Sequence, residues 1–447
     1  MAEGDAVQVT GKVRELAQQT TLDAAAENIA VLSSNNGLPD FVAYDPPTDP
    51  TAAAIYKEAL EGMLVAVEEK AVVIASTTRF GEYALVRETV GVDTVRRTDN
   101  VGFVIFVDDG STVAHEDQST LPYAVKKGDT VSQLFGPLAF TFGQYKIEPL
   151  LPPQIGVAER PLPTLPTTDQ LTIATFNVEN LFDNRDPHPS DPPRPTRSQY
   201  EQKLNKLAEA IVALGAPTVI GLQEVENIGI LEQLVTLEPL APFAYQPYLI
   251  EGEDSRGIDV AYLVRGDQAT VGQVANFPMP DGSLSRPPLL LELTFHATGE
   301  QLFLINNHFT SLSAGEEATE PLRTAQAAWV ASVLDGVRAE NPEAGFVVIG
   351  DLNSFYATPP IETLQAAGLR HAYEFFADPT ALPYTYIFEG STQSLDHILL
   401  SDGLFARLAQ VTTLPIDADY PLADPADSSP LRVSDHDPLL VILNNNG

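Results

Sequence analysis

The chain contains no cysteine, which excludes disulfide bonds, thiolate metal sites and cysteine nucleophiles. It also lacks any apolar run of about 18 residues, so no membrane-spanning helix is predicted. The first residues carry neither a basic segment nor an apolar core, and no signal peptide is therefore predicted. The absence of cysteine is compatible with an exported protein as well as with a cytosolic one.

Basic residues are scarce as well. The 447 residues include 25 lysines and arginines against 61 aspartates and glutamates, which gives a formal net charge of −36. Residues 169–447 hold 13 of these bases and 38 of the acids, a net charge of −25. Such a charge opposes the long-range attraction of any polyanion. A nucleic-acid substrate would therefore need local arginines and divalent cations to overcome the repulsion.

The length of the chain and its 44% of hydrophobic residues predict two domains with packed cores. Residues 1–150 are predicted to form a β-rich domain, because short apolar runs are separated there by turn signals. Six prolines between 149 and 166 predict a linker over residues 151–168. Residues 169–447 then form the second domain.

Three apolar stretches carry the prediction for the first domain. The segment 6–13 alternates apolar and polar residues, which predicts a half-buried strand. The stretches 63–67 and 71–75 are predicted to be two paired strands. Residues in this part show no catalytic spacing, so it is interpreted as an accessory domain.

The second domain mixes strands and helices without strict alternation, which favours an α/β sandwich. Amphipathic helices are predicted over residues 200–214 and 324–337. The proline-rich stretch 186–195 is predicted to be a surface loop. Strands are predicted at 171–180, 219–225, 258–264, 302–307, 347–350 and 394–400, followed by a last strand that ends at Ile442.

Polar residues recur where these strands end: Asn177, Glu224, His308, Asp351 with Asn353, Asp396, and Asp435 with His436. Each has a structural alternative. Glu224 would start a helix, His308 would be a satisfied core histidine, and Asp351 would cap a turn. Packing alone does not require polar side chains at so many strand ends, so together they predict a site.

The motifs around these residues resemble those of the endonuclease/exonuclease/phosphatase superfamily and follow the same order. They are Phe176-Asn177-Val178, Gln223-Glu224, Asn307-His308, Gly350-Asp351-Leu352-Asn353, Leu395-Asp396-His397 and Ser434-Asp435-His436-Asp437-Pro438. The resemblance covers residues 170–445 and implies a four-layer α/β-sandwich of DNase I type.

Two further phrases are similar to bacterial extracellular nucleases in particular. They are the segment 177–183 and Tyr384-Thr385-Tyr386, and they imply a secreted, extracellular protein. Such nucleases often carry an oligonucleotide-binding (OB) barrel before the catalytic domain. The segment 4–15 is similar to the latter part of such a barrel, which implies that the β-rich domain is OB-like and truncated.

The resemblance also implies a metal site. Glu224 would be the principal ligand of a divalent cation, and Asn177 and Asp435 would lie close to the same ion or its waters. Oxygen ligands of this kind suit Mg²⁺ first, with Mn²⁺ and Ca²⁺ as alternatives.

The remaining positions would perform the chemistry. Asp351 and Asn353 would orient or deprotonate the attacking water, and His308 would donate to a phosphate oxygen. Asp396 would hold His436, but whether His436 or Asp351 takes the proton is left open.

Three weaker candidates for substrate binding are Arg256, Asp259 and Arg323, for each of which a structural role is the alternative. His397 lies beside Asp396 but on the opposite face of a regular strand, so it is outside the predicted site.

These inferences predict a metal-dependent phosphodiesterase that cleaves extracellular DNA, and RNA as a second polymer, by in-line attack of water. The alternative is a phosphatase or phosphodiesterase that acts on small phosphate esters or lipid head groups. The net charge of residues 169–447 favours the alternative, whereas the motifs favour the nuclease. A monomer is assumed.

Overall fold

The computed structural model describes residues 1–2, 4–16, 18–185 and 194–445, so most of the predicted loop at 186–195 lies outside the described residues. Contacts divide the chain into two compact units. The first consists of Met1–Arg160 with the short segments Phe388–Ser391 and Tyr420–Leu422, and the second consists of the rest. None of the helices in the described ranges is long and apolar enough to cross a membrane.

The first unit contains helix α1 (Pro50–Ala59) and mostly short strands. In chain order the strands are β1 (Ala6–Val9), β2 (Lys12–Leu16), β3 (Gln19–Asp23), β4 (Ile29–Ser33), β5 (Val42–Ala43), β6 (Leu64–Val67), β7 (Ala71–Ala75), β8 (Tyr83–Arg87), β9 (Ile105–Val107), β10 (Thr130–Ser132), β11 (Leu134–Thr141), β12 (Gln144–Ile147) and β13 (Gln154–Gly156). Strands β5 to β13 form one sheet in the order β13-β10-β7-β8-β9-β12-β11-β6-β5. The β-rich character predicted for this part is present.

The predicted pairing of residues 63–67 with 71–75 is wrong. β6 pairs with β11, whereas β7 pairs with β8 and β10. Only Gln133 separates β10 from β11, and its φ of 56° places a bend there. One bent segment, β6 followed by β7, therefore runs antiparallel to a second bent segment, β10 followed by β11. The backbone groups that a local β6–β7 hairpin would have paired therefore form hydrogen bonds with the distant strands β11 and β10.

The predicted half-buried strand at 6–13 is also wrong. The segment is divided between β1 and β2, which pair with β4 and β3 respectively in separate two-stranded sheets. Gly11 lies at the break, where an added Cβ would come within 2.5 Å of the Asp23 carbonyl oxygen. These strands are largely exposed, with Val13 at 72%. Alternation of apolar and polar residues predicts a strand with one apolar face. It does not show whether another element covers that face. The OB-like assignment stays a prediction.

From residue 161 onward the chain forms helices α2 (Arg197–Ala213), α3 (Ile228–Leu234), α4 (Glu316–Glu340), α5 (Pro359–Ala366) and α6 (Asp402–Phe405). The strands are β14 (Leu171–Leu181), β15 (Val219–Val225), β16 (Tyr245–Leu249), β17 (Asp259–Arg265), β18 (Ala269–Asn276), β19 (Leu289–Phe295), β20 (Gln301–His308), β21 (Gly345–Asp351), β22 (Arg370–His371), β23 (Tyr386–Phe388), β24 (Ser391–Gln393), β25 (Asp396–Leu400), β26 (Leu408–Thr413) and β27 (Leu439–Leu443).

Two six-stranded sheets form the centre of the second unit. Sheet I has the order β16-β17-β15-β14-β27-β26, and sheet II has the order β18-β19-β20-β21-β25-β22. One apolar core lies between the sheets. A second core joins sheet I to α2 and α3, and a third joins sheet II to α4 and α5. The predicted four-layer α/β sandwich is confirmed.

The continuous apolar strands follow from this layering, because both faces of each sheet are covered. In β14, Ile173 packs between the sheets while Ala174 and Phe176 pack towards α2 and α3. A buried pair of amides links the two sheets. The Gln223 side-chain amide donates to Asn306 Oδ1 at 2.7 Å, and the Asn306 amide donates to the Leu222 and Ala261 carbonyls at 2.9 Å. These bonds satisfy two buried amides and connect β15 and β17 of sheet I to β20 of sheet II.

Candidate active site

Strand direction brings the predicted polar residues to one edge of the two sheets. β14 and β15 are parallel neighbours in sheet I, and β20 and β21 are parallel neighbours in sheet II, so their carboxyl ends meet at one edge in each sheet. β25 runs antiparallel to β21, and its first residue, Asp396, lies opposite Asp351. His308 also lies opposite Asp351 in the ladder. The sheets alone therefore place three predicted residues side by side.

The Asp396–His436 pair is a close, buried contact of the site. His436 Nδ1 lies 2.8 Å from Asp396 Oδ2, and Asp396 is fully buried. Burial alone would lower the pKa of His436, but the Asp396, Asp435 and Asp351 carboxylates outweigh it and raise that pKa well above its usual value. His436 is therefore an imidazolium near neutral pH, and its Nδ1–H donates to Asp396. The Tyr386 ring packs on this imidazole with a centroid distance of 4.8 Å.

Asp351 is held by three groups. Its Oδ2 accepts from Asn177 Nδ2 at 3.0 Å and lies 3.5 Å from His308 Nε2, while its Oδ1 accepts from the Asn353 backbone N–H at 2.9 Å. Burial raises the pKa of Asp351 to about 7, assisted by Asp396 and opposed by His436. A carboxylate with such a pKa can exchange a proton near neutrality.

His308 is buried and neutral. Burial lowers its pKa well below the usual value, and the nearby positive charges of Arg286 and Arg256 lower it further. Among the described residues its Nδ1 has no hydrogen-bond partner. A neutral imidazole can still donate one hydrogen bond, which is what the predicted phosphate contact requires.

Glu224 has a strained backbone, with a φ of 68°. Its Oε2 accepts from the Asn180 backbone N–H at 2.8 Å, whereas Oε1 lies 3.8 Å from both His308 Nε2 and Arg256 Nη2. Among the described residues Oε1 thus has no donor at hydrogen-bond distance. Backbone strain of this kind is typical of a functional position.

Whether these residues fit a cation depends on the donor set. In the part of the chain that the structure describes, no group of three His, Asp or Glu side chains could enclose a metal ion. Mg²⁺ does not need such a cage, because it is commonly held by one or two carboxylates, waters and substrate phosphate. Glu224 Oε1 supplies one such oxygen. Asn177 Oδ1 accepts from the Glu179 N–H at 3.0 Å, and Asp435 is half-buried beside His436. The donors are all oxygens and fit Mg²⁺.

The weaker candidates differ in where they lie. Arg256 is 46% exposed in its side chain and its guanidinium reaches Glu224. Asp259 is buried and accepts from the Gly252 N–H, and burial raises its pKa to about 7 with a contribution from Glu251. Arg323 is buried in α4 and donates to Thr319 Oγ1 and the Glu316 carbonyl of its own helix. Among the three, only Arg256 contacts a residue of the predicted site in the described structure.

His397 lies outside the site, as its strand position predicts. Its Nε2–H donates to the Ser354 carbonyl at 2.7 Å, and its Nδ1 accepts from His371 Nε2 at 2.8 Å. Both imidazoles are fully buried. The pair thereby contacts the segment that follows Asn353, through the Ser354 carbonyl.

Sequence reasoning missed several residues that hold the site. Ser434 Oγ donates to the Asn177 carbonyl at 2.7 Å, and Lys203 of α2 donates to the carbonyls of Glu179 and Val433. Arg286 donates to the His308 and Phe309 carbonyls and to Asp254. A serine within the Ser434-Asp435-His436 motif was a visible signal, but lysine and arginine ordinarily predict solvent-exposed positions.

Comparison with known proteins gives two family matches. The model of the Endonuclease/Exonuclease/phosphatase family matches residues 172–418. A family described as a domain of unknown function matches residues 28–157. None of the curated proteins compared with the chain matches it.

Solved structures similar to the chain include three examples. A humanised zebrafish (D. rerio) TDP2 is 17% identical, with a TM-score of 0.46, and the match covers 62% of this chain and 100% of that one. A mannosyl-6-phosphatase from Bacteroides thetaiotaomicron is 18% identical, with a TM-score of 0.44, covering 61% and 99%. The human Nocturnin catalytic domain is 17% identical, with a TM-score of 0.42, covering 63% and 96%.

Proposed function

The chain belongs to the endonuclease/exonuclease/phosphatase family and is a phosphoester hydrolase, and on that premise we propose that it is a divalent-metal-dependent nuclease. The observation that carries the proposal is the geometry of Asp351, which lies beside Asn177, His308 and Asn353 and opposite the Asp396–His436 pair. The proposal is supported because the Asp351 carboxylate, two imidazoles and the Glu224 carboxylate belong to one set of neighbouring side chains.

Each residue has a role in the proposed hydrolysis. Glu224 would hold the cation, with Asn177 and Asp435 close to it, and the bound cation would neutralise phosphate charge and stabilise the leaving oxygen. Asp351 accepts the proton of the attacking water, since its pKa of about 7 leaves it partly ionised near neutrality. Asn353 orients that water.

The two imidazoles bind the phosphate. His436 is held as an imidazolium by Asp396, so it donates a charge-assisted hydrogen bond to a non-bridging oxygen rather than acting as the base. Neutral His308 donates from Nε2 to the same phosphate. The water attacks phosphorus in line as Asp351 takes its proton, the P–O bond to the leaving oxygen breaks, and that oxygen takes up a proton from solvent. Asp351 later releases its proton to solvent, which restores the site.

A second candidate function is hydrolysis of small phosphate esters or lipid head groups. The net charge of −25 on residues 169–447 supports it, because a small ester suffers less repulsion than a polyanion does. The nuclease is preferred because the motifs of residues 177–183 and 384–386 are similar to extracellular nucleases. An extracellular place of action is proposed on the same ground.

Plasmid DNA, RNA, a chromogenic phosphodiester and a chromogenic phosphomonoester, each assayed with Mg²⁺, Mn²⁺ or Ca²⁺ and with EDTA, would test the proposal. We expect plasmid degradation with Mg²⁺, loss of it with EDTA, and faster hydrolysis of the diester than of the monoester. Rapid monoester hydrolysis without cleavage of any polynucleotide would reject the nuclease in favour of the second candidate.

Glu224→Gln tests the assignment of the cation ligand. Because the amide is a weaker ligand without charge, we expect kcat/KM to fall by about 10²-fold or more at saturating Mg²⁺. Exposed Glu232 of α3 gives the matched control, Glu232→Gln, which should behave as the wild type. Near-normal activity of Glu224→Gln would contradict the assignment.

A further inference from the structure

A buried arginine–aspartate pair lies directly behind the site. Arg286 is 7% exposed and Asp254 is 8% exposed, and Arg286 Nη1 donates to Asp254 Oδ2 at 2.6 Å. The other guanidinium donors bind backbone: Nε donates to the His308 carbonyl at 3.2 Å and Nη2 to the Phe309 carbonyl at 3.0 Å. Arg286 is thus fixed to the end of β20, the strand that presents His308.

Asp254, the partner of Arg286, also forms hydrogen bonds within a tight turn of residues 254–257. Its backbone carbonyl accepts from the Gly257 N–H at 2.8 Å, and its Oδ1 accepts from the Arg256 N–H at 2.9 Å. Asp254 Oδ1 also lies 3.8 Å from Arg256 Nε. Asp254 therefore stabilises the turn 254–257 through its carbonyl and its carboxylate, and the carboxylate lies beside the Arg256 guanidinium.

Arg256 ends beside Oε1 of Glu224. Its Nη2 lies 3.8 Å from that oxygen, which is too long for a hydrogen bond, and its side chain is 46% exposed. With respect to the described residues, the guanidinium therefore keeps donors for another acceptor. Planar guanidinium groups recognise phosphate oxygens in bidentate fashion, and a long arginine side chain loses less entropy when its base is already fixed.

We propose that the Arg286–Asp254 pair is a positioning device that holds Arg256 next to Glu224 as a phosphate-binding cation for the nucleic-acid backbone. The inference rests on the proposed function for the identity of the substrate. The net charge of the protein repels a polyanion. An arginine held at the site would supply local attraction that opposes this repulsion. Arg286 and Asp254 act through Arg256 and do not touch substrate.

Kinetics on a short oligodeoxynucleotide with saturating Mg²⁺ test the device. We expect Arg256→Ala, Asp254→Asn and Arg286→Lys each to raise KM by about tenfold, the effect of losing one charge-assisted hydrogen bond. Because Asp254 acts through Arg256, adding Asp254→Asn to Arg256→Ala should raise KM no further. Multiplying effects in the double variant, or a wild-type KM for Asp254→Asn, would overturn the proposal.

Arg265 provides a matched control for a purely structural arginine. It is 6% exposed, and it binds the Asp267 carboxylate and the Ala216 carbonyl, so it makes the same kinds of bond as Arg286. Arg265→Lys should lower the melting temperature while leaving KM unchanged. If Arg265→Lys and Arg286→Lys raise KM equally, the effect of Arg286 is general destabilisation and the proposal fails.

Binding of inorganic phosphate to the full chain in EDTA, measured by calorimetry, separates this inference from the proposed function. We expect phosphate to bind the wild type and to bind Arg256→Ala and Asp254→Asn about tenfold more weakly. This result would support the device even if no polynucleotide were cleaved. Equal affinity in the wild type and Asp254→Asn, or no binding to the wild type, would reject it whatever the substrate.

Discussion

At the scale of single residues, Asp351 and His436 both have raised pKa values, but the raised pKa has opposite consequences for the charges of the two side chains. A raised pKa leaves Asp351 partly protonated near pH 7, whereas it favours the protonated form of His436 there. The carboxylate can therefore accept a proton, and the imidazolium can only donate a hydrogen bond. This difference favours Asp351 as the proposed base over His436.

Asp396→Asn should change the pH profile of catalysis in a defined direction. The carboxylate raises the pKa of His436, so its removal lowers that pKa, and the imidazolium is then lost at a lower pH. We expect the alkaline limb of kcat/KM to move down by one or more pH units, with a loss in rate of about 10²-fold. Profiles from pH 5 to 10 would measure it.

The exposed Asp402 of α6 serves as the control for that experiment, since Asp402→Asn removes the same charge away from the site. Its profile should match the wild type. An alkaline limb that stays in place in Asp396→Asn would show that His436 does not need its proton, and Asp351 would lose its assignment as the base.

At the scale of elements, β21 approaches β20 so closely at Gly350 that only glycine fits. Its φ is 137°, and an added Cβ would lie 2.0 Å from the Asn307 carbonyl oxygen. Gly350→Ala should therefore displace the end of β21 and Asp351 with it, and lower the free energy of unfolding by about 3 kcal/mol or more. Urea titration would measure the change.

Gly336 of α4 gives the matched control, because an added Cβ there meets no atom within 4 Å. Gly336→Ala should stabilise the protein by up to about 1 kcal/mol through helix propensity. If Gly350→Ala is as stable as the wild type, the close approach of the two strands is wrong.

The His371–His397 pair makes stability depend on pH. Burial lowers the pKa of His397 to about 4, so the unfolded chain binds more protons than the folded chain at pH values between about 4 and 6.5. Stability is complete above this window and is lost as the pH falls through it. We expect a contribution of about 2 kcal/mol to be lost by pH 5.

His397→Gln tests this contribution without removing the hydrogen bonds, because glutamine can donate to the Ser354 carbonyl and accept from His371. Urea unfolding at pH 7 and pH 5 should show a smaller loss of stability in this variant than in the wild type. An unchanged difference between the two pH values would mean that His397 does not titrate on unfolding.

In the second unit, the sequence predicts the positions of strands well where the residues of one strand form a recognisable pattern. It predicts contacts poorly where the partners are distant along the chain. β14, β15, β20 and β21 are continuous apolar runs that end in a polar residue, so their positions and their shared edge could be predicted. β18 and β19 were not predicted, and neither was Arg286, whose partners Asp254 and His308 are 32 and 22 positions away. A buried arginine is recognisable only once the acceptors around it are known.

Helix boundaries show the same division. The helix predicted at 200–214 begins earlier, at Arg197, because the Thr196 side chain accepts from the Gln199 N–H and forms a capping box. That signal was local and readable. α4 extends from Glu316 to Glu340, well beyond the predicted 324–337, and contains Pro321. Arg323 donates back to Thr319 Oγ1 and to the Glu316 carbonyl in these early turns, and a pattern along the chain does not reveal such contacts.

At the scale of the whole molecule, charge should set how the enzyme responds to salt. A nucleic-acid binder with a basic face loses affinity as salt rises, because it releases counterions. A net charge of −36 gives the opposite expectation, since salt screens repulsion between protein and polyanion over a Debye length of about 10 Å at 0.1 M. At a fixed saturating concentration of Mg²⁺, kcat/KM for long DNA should rise severalfold between about 20 and 150 mM monovalent salt.

A singly charged chromogenic diester is the control. Because its single charge is repelled only weakly by the protein, its kcat/KM should change much less. Parallel kinetics on the two substrates would measure the effect, and a steep fall for long DNA would mean that a basic surface, and not the fixed Arg256 alone, binds the polymer.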